Sequence, residues 1–276
     1  MTITMADLER CKKRREAGES YRDLAAELSV SRQLLEKAVR HGRLPGSGKI
    51  TAKPGGLWTE KYRPQKFDAL CGQPDVSNRL RAFAAAPYPV AMLFSGETGT
   101  GKTSAALALA AGLGCALNQK EFGGVHILAS GEQTADSVRE CCAQMHLMPF
   151  QGSGWKVFIV NECDRMHVQA ETIWLDRLEN IPNRTVVVFT TNHPDKLSQR
   201  FRDRCLQFGF ESSAEKLHDA ARKLLAELWK REVGSEPLDP VLETILSGST
   251  VNGHLSFRRA VQLLQTHTTR PSSKNS

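Results

Sequence analysis

One octapeptide constrains this chain more than any other feature. Gly96-Glu97-Thr98-Gly99-Thr100-Gly101-Lys102-Thr103 fits the pattern G-x-x-x-x-G-K-[ST], follows the apolar run Ala91 to Phe94, and precedes an Ala/Leu-rich helix pattern from Ser104 to Gly112. Strand, loop and helix in that order make a phosphate cradle. Glycines let the backbone wrap around phosphate oxygens without Cβ clashes, and the exposed N–H groups and helix N-terminus supply positive potential. In such a loop Lys102 reaches the terminal phosphates and the Thr103 hydroxyl ligates Mg²⁺. The span Gly96 to Ser104 is therefore the expected nucleotide-binding segment.

A phosphate loop needs an acidic partner at the end of a second buried strand. Lys156-Val-Phe-Ile-Val-Asn161-Glu162-Cys-Asp164 supplies one: four apolar residues predict the strand, and Glu162 is placed to polarise a water for in-line attack. Asn161 stands where an acidic Mg²⁺-organising residue is expected, so Thr103 and Asn161 form the expected metal pair. Further apolar runs at Val90 to Phe94, Val125 to Leu128, Thr185 to Phe189 and Leu206 to Phe210, separated mostly by helix-patterned segments, predict an α/β fold with a parallel sheet flanked by helices. Beyond Glu211, Ala214 to Val233, Asp239 to Leu246 and Ser256 to His267 repeat apolar residues at helical spacing and predict a small all-α domain.

With these motifs in order, residues 57 to 265 resemble the AAA+ module of clamp-loader ATPases, above all the small subunits of replication factor C. Leu57-Trp-Thr-Glu-Lys-Tyr-Arg-Pro64 and Phe67-Asp-Ala-Leu-Cys-Gly72-Gln73 are similar to that family's N-terminal signature, which contributes to the nucleotide pocket. The stretch from Ala129-Ser130 through Glu132 to Glu162 follows its pattern as well. The resemblance implies an ATPase that uses Mg²⁺. It implies that Asn192, ending Thr185-Val-Val-Val-Phe-Thr-Thr-Asn192, senses the γ-phosphate, and that Arg204 in Asp203-Arg204-Cys205 acts on a neighbouring subunit's ATP. It also implies that Arg258 in Ser256-Phe-Arg258-Arg-Ala260 contacts phosphate from a C-terminal helical lid. On this reading the lid is expected to be the last folded part, without a counterpart of the family's C-terminal helical collar.

The first part of the chain reads differently. Residues 1 to 53 carry 12 of the 37 Lys and Arg against 7 of the 30 Asp and Glu, a local excess that favours a polyanion. Tyr21 to Val39 has the pattern of a helix-turn-helix: Leu24, Ala25 and Leu28 face inward, Ser29-Val30 turns, and Ser31 caps a second helix whose Leu34, Leu35, Ala38 and Val39 continue the core. Arg32, Gln33, Lys37, Arg40 and Arg43 are the candidate DNA contacts. A helix pair of this pattern also serves as a protein-docking module. The expected domains are 1–50 (helix-turn-helix), 51–56 (a Gly/Pro linker), 57–210 (nucleotide-binding), 211–269 (helical lid) and 270–276 (a polar, disordered tail).

Composition excludes several classes. The longest uncharged stretches, 82 to 96 and 103 to 119, contain prolines or glycines and fall short of the about 20 apolar residues a membrane helix requires. No apolar signal segment precedes the charged N-terminus, and the seven cysteines, odd in number and without a C-x-x-C pair, predict reduced thiols in a cytoplasmic protein. The expected partners are DNA, further copies of the chain in a ring or filament, and a replication or recombination protein. Two roles fit: a clamp-loader-like loader or remodeller, and a DNA-bound ATP switch of the transposition-helper or plasmid-maintenance type with little or no hydrolysis.

Overall fold

The computed structural model describes residues 5–27, 35, 56–118 and 123–269. Its centre is a five-stranded, wholly parallel sheet in the order β2-β3-β4-β1-β5. The strands are β1 (Val90–Ser95), β2 (Val125–Leu128), β3 (Lys156–Val160), β4 (Thr185–Thr191) and β5 (Leu206–Gly209). Every residue of β3 and β4 is buried, as a parallel strand covered on both faces requires. Side chains alternate between two core layers: Val157, Ile159, Val186 and Val188 face one way, and Phe158, Val160, Val187 and Phe189 the other.

Helices fill both layers. They are α3 (Trp58–Lys61), α4 (Pro74–Ala85), α5 (Lys102–Gly112), α6 (Ala135–Gln144), α7 (Val168–Glu179) and α8 (Gln199–Asp203), following α1 (Met5–Glu16) and α2 (Tyr21–Glu27) of the head. The first core layer takes Leu80 from α4 and Ala105, Ala106, Leu109 and Ala110 from α5. The second takes Val138 from α6, Ala170 and Trp174 from α7 and Phe201 from α8. The small residues of α5 let that helix lie close on the sheet, directly behind the loop it starts from.

A third cluster belongs to α9 (Ala214–Val233), α10 (Asp239–Ser249) and α11 (Phe257–Thr269). Leu217, Leu225, Leu228, Leu242, Ile245, Leu246, Ala260 and Leu264 fill it. Trp58, which the boundary at 57 assigns to the nucleotide-binding domain, packs in this cluster too. Gln265 of α11 accepts the Trp58 N–H at 2.9 Å and donates to the Gly56 carbonyl at 3.2 Å. Tyr62 and Lys61 both bond Glu232 of α9. Residues 250–255 depart from the all-α expectation. There β6 (Thr250–Val251) and β7 (His254–Leu255) pair as a hairpin, because Asn252 (φ 51°) and Gly253 (φ 78°) take the positive-φ turn that suits a two-residue connection.

In the head, Ser20 caps α2 by accepting the Asp23 N–H at 3.2 Å, and Arg14 holds both Glu19 and Glu27 at 2.8 Å. Leu24, Ala25 and Leu35 are buried, as the inward-facing pattern predicts, and Cys11 of α1 joins them. The second half of the expected helix-turn-helix, with Arg32, Gln33, Lys37, Arg40 and Arg43, lies outside the described residues. All seven cysteines are free thiols. Among the described residues no helix is long and apolar enough to cross a membrane.

Candidate functional site

The loop Gly96–Gly101 connects β1 to α5 at the carboxyl end of the sheet. Its turns need glycine for two separate reasons. At Gly96 (φ +145°) a Cβ would sit 2.8 Å from the Phe210 carbonyl, and at Gly99 (φ +83°) it would sit 2.0 Å from the Ser256 hydroxyl. The N–H groups of Lys102, Thr103 and Ser104 belong to the first turn of α5 and have no partner within their own helix, so donors are left at its start. An oxyanion satisfies such donors.

Lys102 is nearly enclosed, at 9% exposure. Its ammonium donates to the carbonyls of Gly96 (2.7 Å) and Glu97 (2.8 Å) and to Asn192 Oδ1 (2.8 Å). Burial pulls its pKa down to about 8, and the charge of Arg258 pushes the same way against Glu97, Asp164 and Glu162. Asn192 completes the contact by donating from Nδ2 to Thr98 Oγ1 at 2.9 Å, so one amide spans two residues of the loop.

Thr103 donates its hydroxyl proton to Asn161 Oδ1 at 3.0 Å, and Thr190 donates to the same oxygen at 3.3 Å. With the Thr103 proton directed there, the lone pairs of its oxygen remain free for a cation. The pair therefore fits Mg²⁺ in one respect: Thr103 would hold the ion, and Asn161 would orient Thr103. Asn161 brings an amide oxygen without the negative charge of a carboxylate.

Glu162 follows in a left-handed conformation, φ 53°. Its N–H donates to Thr190 Oγ1 at 3.3 Å, and its carboxylate lies 3.3 Å from Arg165 Nε. Buried Gln133 braces this bend, with Nε2 donating to the carbonyls of Asn161 and, at 3.5 Å, Glu162. Sequence reasoning did not single out Gln133 or Thr190: both lie in stretches quoted for the resemblance, but their roles arise only across strands.

The lid meets the loop directly. The Phe257 N–H, at the first turn of α11, donates to the Gly99 carbonyl at 3.1 Å. The charge of Arg258 acts on Lys102, and the backbone N–H of Arg259 donates to Ser256 Oγ at 3.4 Å. Arg204 is placed elsewhere, at the end of α8, where it pairs with Glu179 and donates to the Arg200 carbonyl at 3.1 Å. Neither Glu179 nor Arg200 belongs to the loop.

A cavity of about 330 Å³ opens beside the loop, lined by Gly72 to Val76 and Gly209 to Glu211. Gln73 shapes it, donating to the Glu211 carbonyl at 2.8 Å and accepting the Glu211 N–H at 2.9 Å. Lys216, with the N–H groups of Ser213 and Ser212, holds the Glu211 carboxyl down at about 2.

Comparison with known proteins gives this geometry a family. Replication factor C small subunits from Halobacterium salinarum and Archaeoglobus fulgidus are 27% identical over 219 residues and 28% identical over 210 residues. The alignments cover 78% and 76% of this chain but 65% and 63% of those proteins, so the chain spans just under two thirds of their length. Among solved structures, the Thermotoga maritima RuvB Holliday junction branch migration motor superposes with a TM-score of 0.57 at 19% identity, covering 74% of this chain and 64% of that one. A variant of the same protein gives 0.59 at 18% identity, with the same coverage. At that identity the likeness is one of fold. A family model described as DNA polymerase III, delta subunit, matches residues 72–214, just over half of the chain. The chain therefore belongs to the DNA polymerase III delta subunit family, with an AAA+ clamp-loader-like module at its centre.

Proposed function

We propose that this chain binds ATP at Gly96–Ser104 and hydrolyses it within an assembly of its own copies, to load, remodel or recruit a partner protein on DNA in replication or DNA maintenance. The single observation that carries the reading is the Asn192 amide, which contacts both Lys102 and Thr98 of the loop. A γ-phosphate entering that loop must exchange contacts with the same three side chains. Nucleotide occupancy is thereby coupled to the end of β4.

In this reading the free N–H groups and Lys102 take the phosphates, and the cavity beside Gly72 to Val76 takes the rest of the nucleotide. Mg²⁺, held through Thr103 and Asn161, would neutralise phosphate charge. Glu162 draws a proton from the attacking water, Asn192 senses the terminal phosphate, and Arg258 reports it to the lid. Arg204, engaged with Glu179 rather than with its own loop, serves a neighbour's site. The domains proposed from the sequence follow: residues 1–50 hold DNA, 51–56 link, 57–210 bind nucleotide, 211–269 form the lid and 270–276 a tail.

The test is complementation. Lys102→Ala and Arg204→Ala should each lose at least about a hundredfold in turnover, and their mixture should recover activity, each supplying the half the other lacks. If the mixture stays inactive although the two variants co-assemble, Arg204 does not act in a neighbour's site. Deletion of residues 1–53 should in turn weaken ATP-dependent DNA binding and its salt dependence together. Unchanged DNA binding would instead make the head a protein-docking module.

A second reading has its own support. Asn161 is neutral and its oxygen already accepts two hydroxyls, an arrangement suited to holding nucleotide longer than to hydrolysing it. An ATP switch that binds DNA and turns over slowly would result.

A further inference from the structure

Thr191 is the last residue of β4 to pair with β1, opposite Ser95, and its carbonyl accepts the Gly96 N–H at 3.3 Å. Beyond it the ladder ends, so nothing in the sheet dictates where Asn192 points. A side chain from the neighbouring strand's exit does. Asp164, in the single helical turn Cys163–Arg165 after β3, accepts the Thr191 hydroxyl proton at 2.6 Å. The Thr191 oxygen accepts the His193 N–H at 2.9 Å. Both residues flanking Asn192 are thus tied to one carboxylate.

We propose that Asp164 is a positioning residue for nucleotide turnover, aiming the Asn192 amide at Lys102 and Thr98 through Thr191 and the His193 N–H. Two observations favour this over a plain structural staple. Thr191 is 1% exposed, so its hydroxyl has no water to fall back on, and a charge-assisted bond is about twice as strong as a neutral one. The relay ends on the residues of the loop that would meet the terminal phosphate. The role depends on the acceptor at position 164 and on the hydroxyl at 191. The inference rests on the reading of the loop as an ATP site.

The experiment compares Asp164→Ala, Asp164→Asn and Thr191→Val in the full chain, by steady-state ATPase assay and by titration with fluorescent ATP and ADP analogues. Asp164→Ala and Thr191→Val should lower kcat by about tenfold, the scale of one lost hydrogen bond to a charged group, with KM within about twofold. Asp164→Asn, whose amide oxygen still accepts the Thr191 proton, should keep most of the wild-type kcat. A staple that merely holds the fold would move Tm and leave the kcat-to-KM split unchanged. Wild-type kcat in Asp164→Ala, or equal damage from Asn and Ala, overturns the proposal. If Asp164→Ala does not fold, Thr191→Val carries the same expectation with one hydroxyl removed and the shape kept. If the wild type binds ATP without turnover, hydrolysis fails rather than the relay, and the readout becomes the preference for ATP over ADP: lost in Ala and Val and kept in Asn supports the role, while equal preference in all overturns it. Absence of nucleotide binding in the wild type removes the ATP reading itself, and this inference with it.

Discussion

The Phe257 N–H donates to the Gly99 carbonyl at 3.1 Å, which joins the lid to the phosphate loop through two backbones and no intervening side chain. Next to that bond the Ser256 hydroxyl occupies the space where a side chain at 99 would begin. These two contacts tie the lid to the loop.

Gly99→Ala should therefore act on the lid as well as on the loop. The alanine must bear φ +83° and its Cβ would lie 2.0 Å from Ser256 Oγ. Left-handed strain alone costs about 1–2 kcal/mol, so nucleotide affinity should fall by at least about tenfold. Adding Ser256→Gly should restore part of the loss by relieving the clash without relieving the strain. Equal affinities of the single and double variants would show that the lid contact is unimportant for binding.

Lys102 sets a pH dependence. Its pKa of about 8 in the free protein must rise when phosphate oxygens approach, so binding takes up a proton wherever the free amine is neutral. ATP affinity should be flat below about pH 8 and fall above it, approaching tenfold per pH unit. The lysine of the free protein also makes stability rise with pH between about 8 and the ordinary lysine value, because the unfolded chain binds more protons there. Nucleotide titrations and thermal melts from pH 7 to 10 measure both. Lys102→Ala should abolish the affinity slope together with most of the affinity.

The Asn161 amide oxygen and a carboxylate oxygen can accept the same two hydroxyls, so Asn161→Asp should add charge without moving Thr103 or Thr190. Its turnover should exceed that of the wild type by about tenfold. Glu162→Gln should remove turnover while sparing ATP binding. Unchanged rates in both variants would mean that β3 does not carry the catalytic residues.

Trp58 is 7% exposed and fills the lid cluster, edge-on to Tyr62. Trp58→Ala should destabilise the lid by about 3–5 kcal/mol through the cavity it leaves. Hydrogen exchange should rise first in α9 and α11, with the sheet amides of β1, β3 and β4 protected longer. Uniform loss of protection would instead place the sheet and lid in one cooperative unit.

Much of this protein was legible residue by residue. The five apolar runs became the five strands, β2 at its expected bounds and the others one or two residues different at an end; β1, β3 and β4 were the plainest, because a strand buried on both faces writes itself as a continuous apolar run. Gly96 to Thr103 was readable because a phosphate loop is local: its glycines, lysine and threonine lie within one turn of chain. The head was expected to be all-α, but the bounds of α1 were not legible, since its polar surface offers little apolar periodicity to read. The Asn252-Gly253 hairpin escaped because its strands are two residues long.

What only the tertiary structure decided is which distant residues meet. Gln133 reaches the carbonyls of Asn161 and Glu162, Thr190 joins both of those residues, and Asp164 reaches Thr191, all across strands that become neighbours only when the sheet forms. Trp58 enters the lid instead of the domain it precedes, pinned by Gln265 far along the chain. Local backbone preference and apolar period specify elements, and those terms are written in a few consecutive residues. The partners of a buried polar atom are set by strand order and helix placement, which come from minimising exposed apolar surface over the whole chain. The loop was therefore determined by sequence, and the side chains that aim it by the fold.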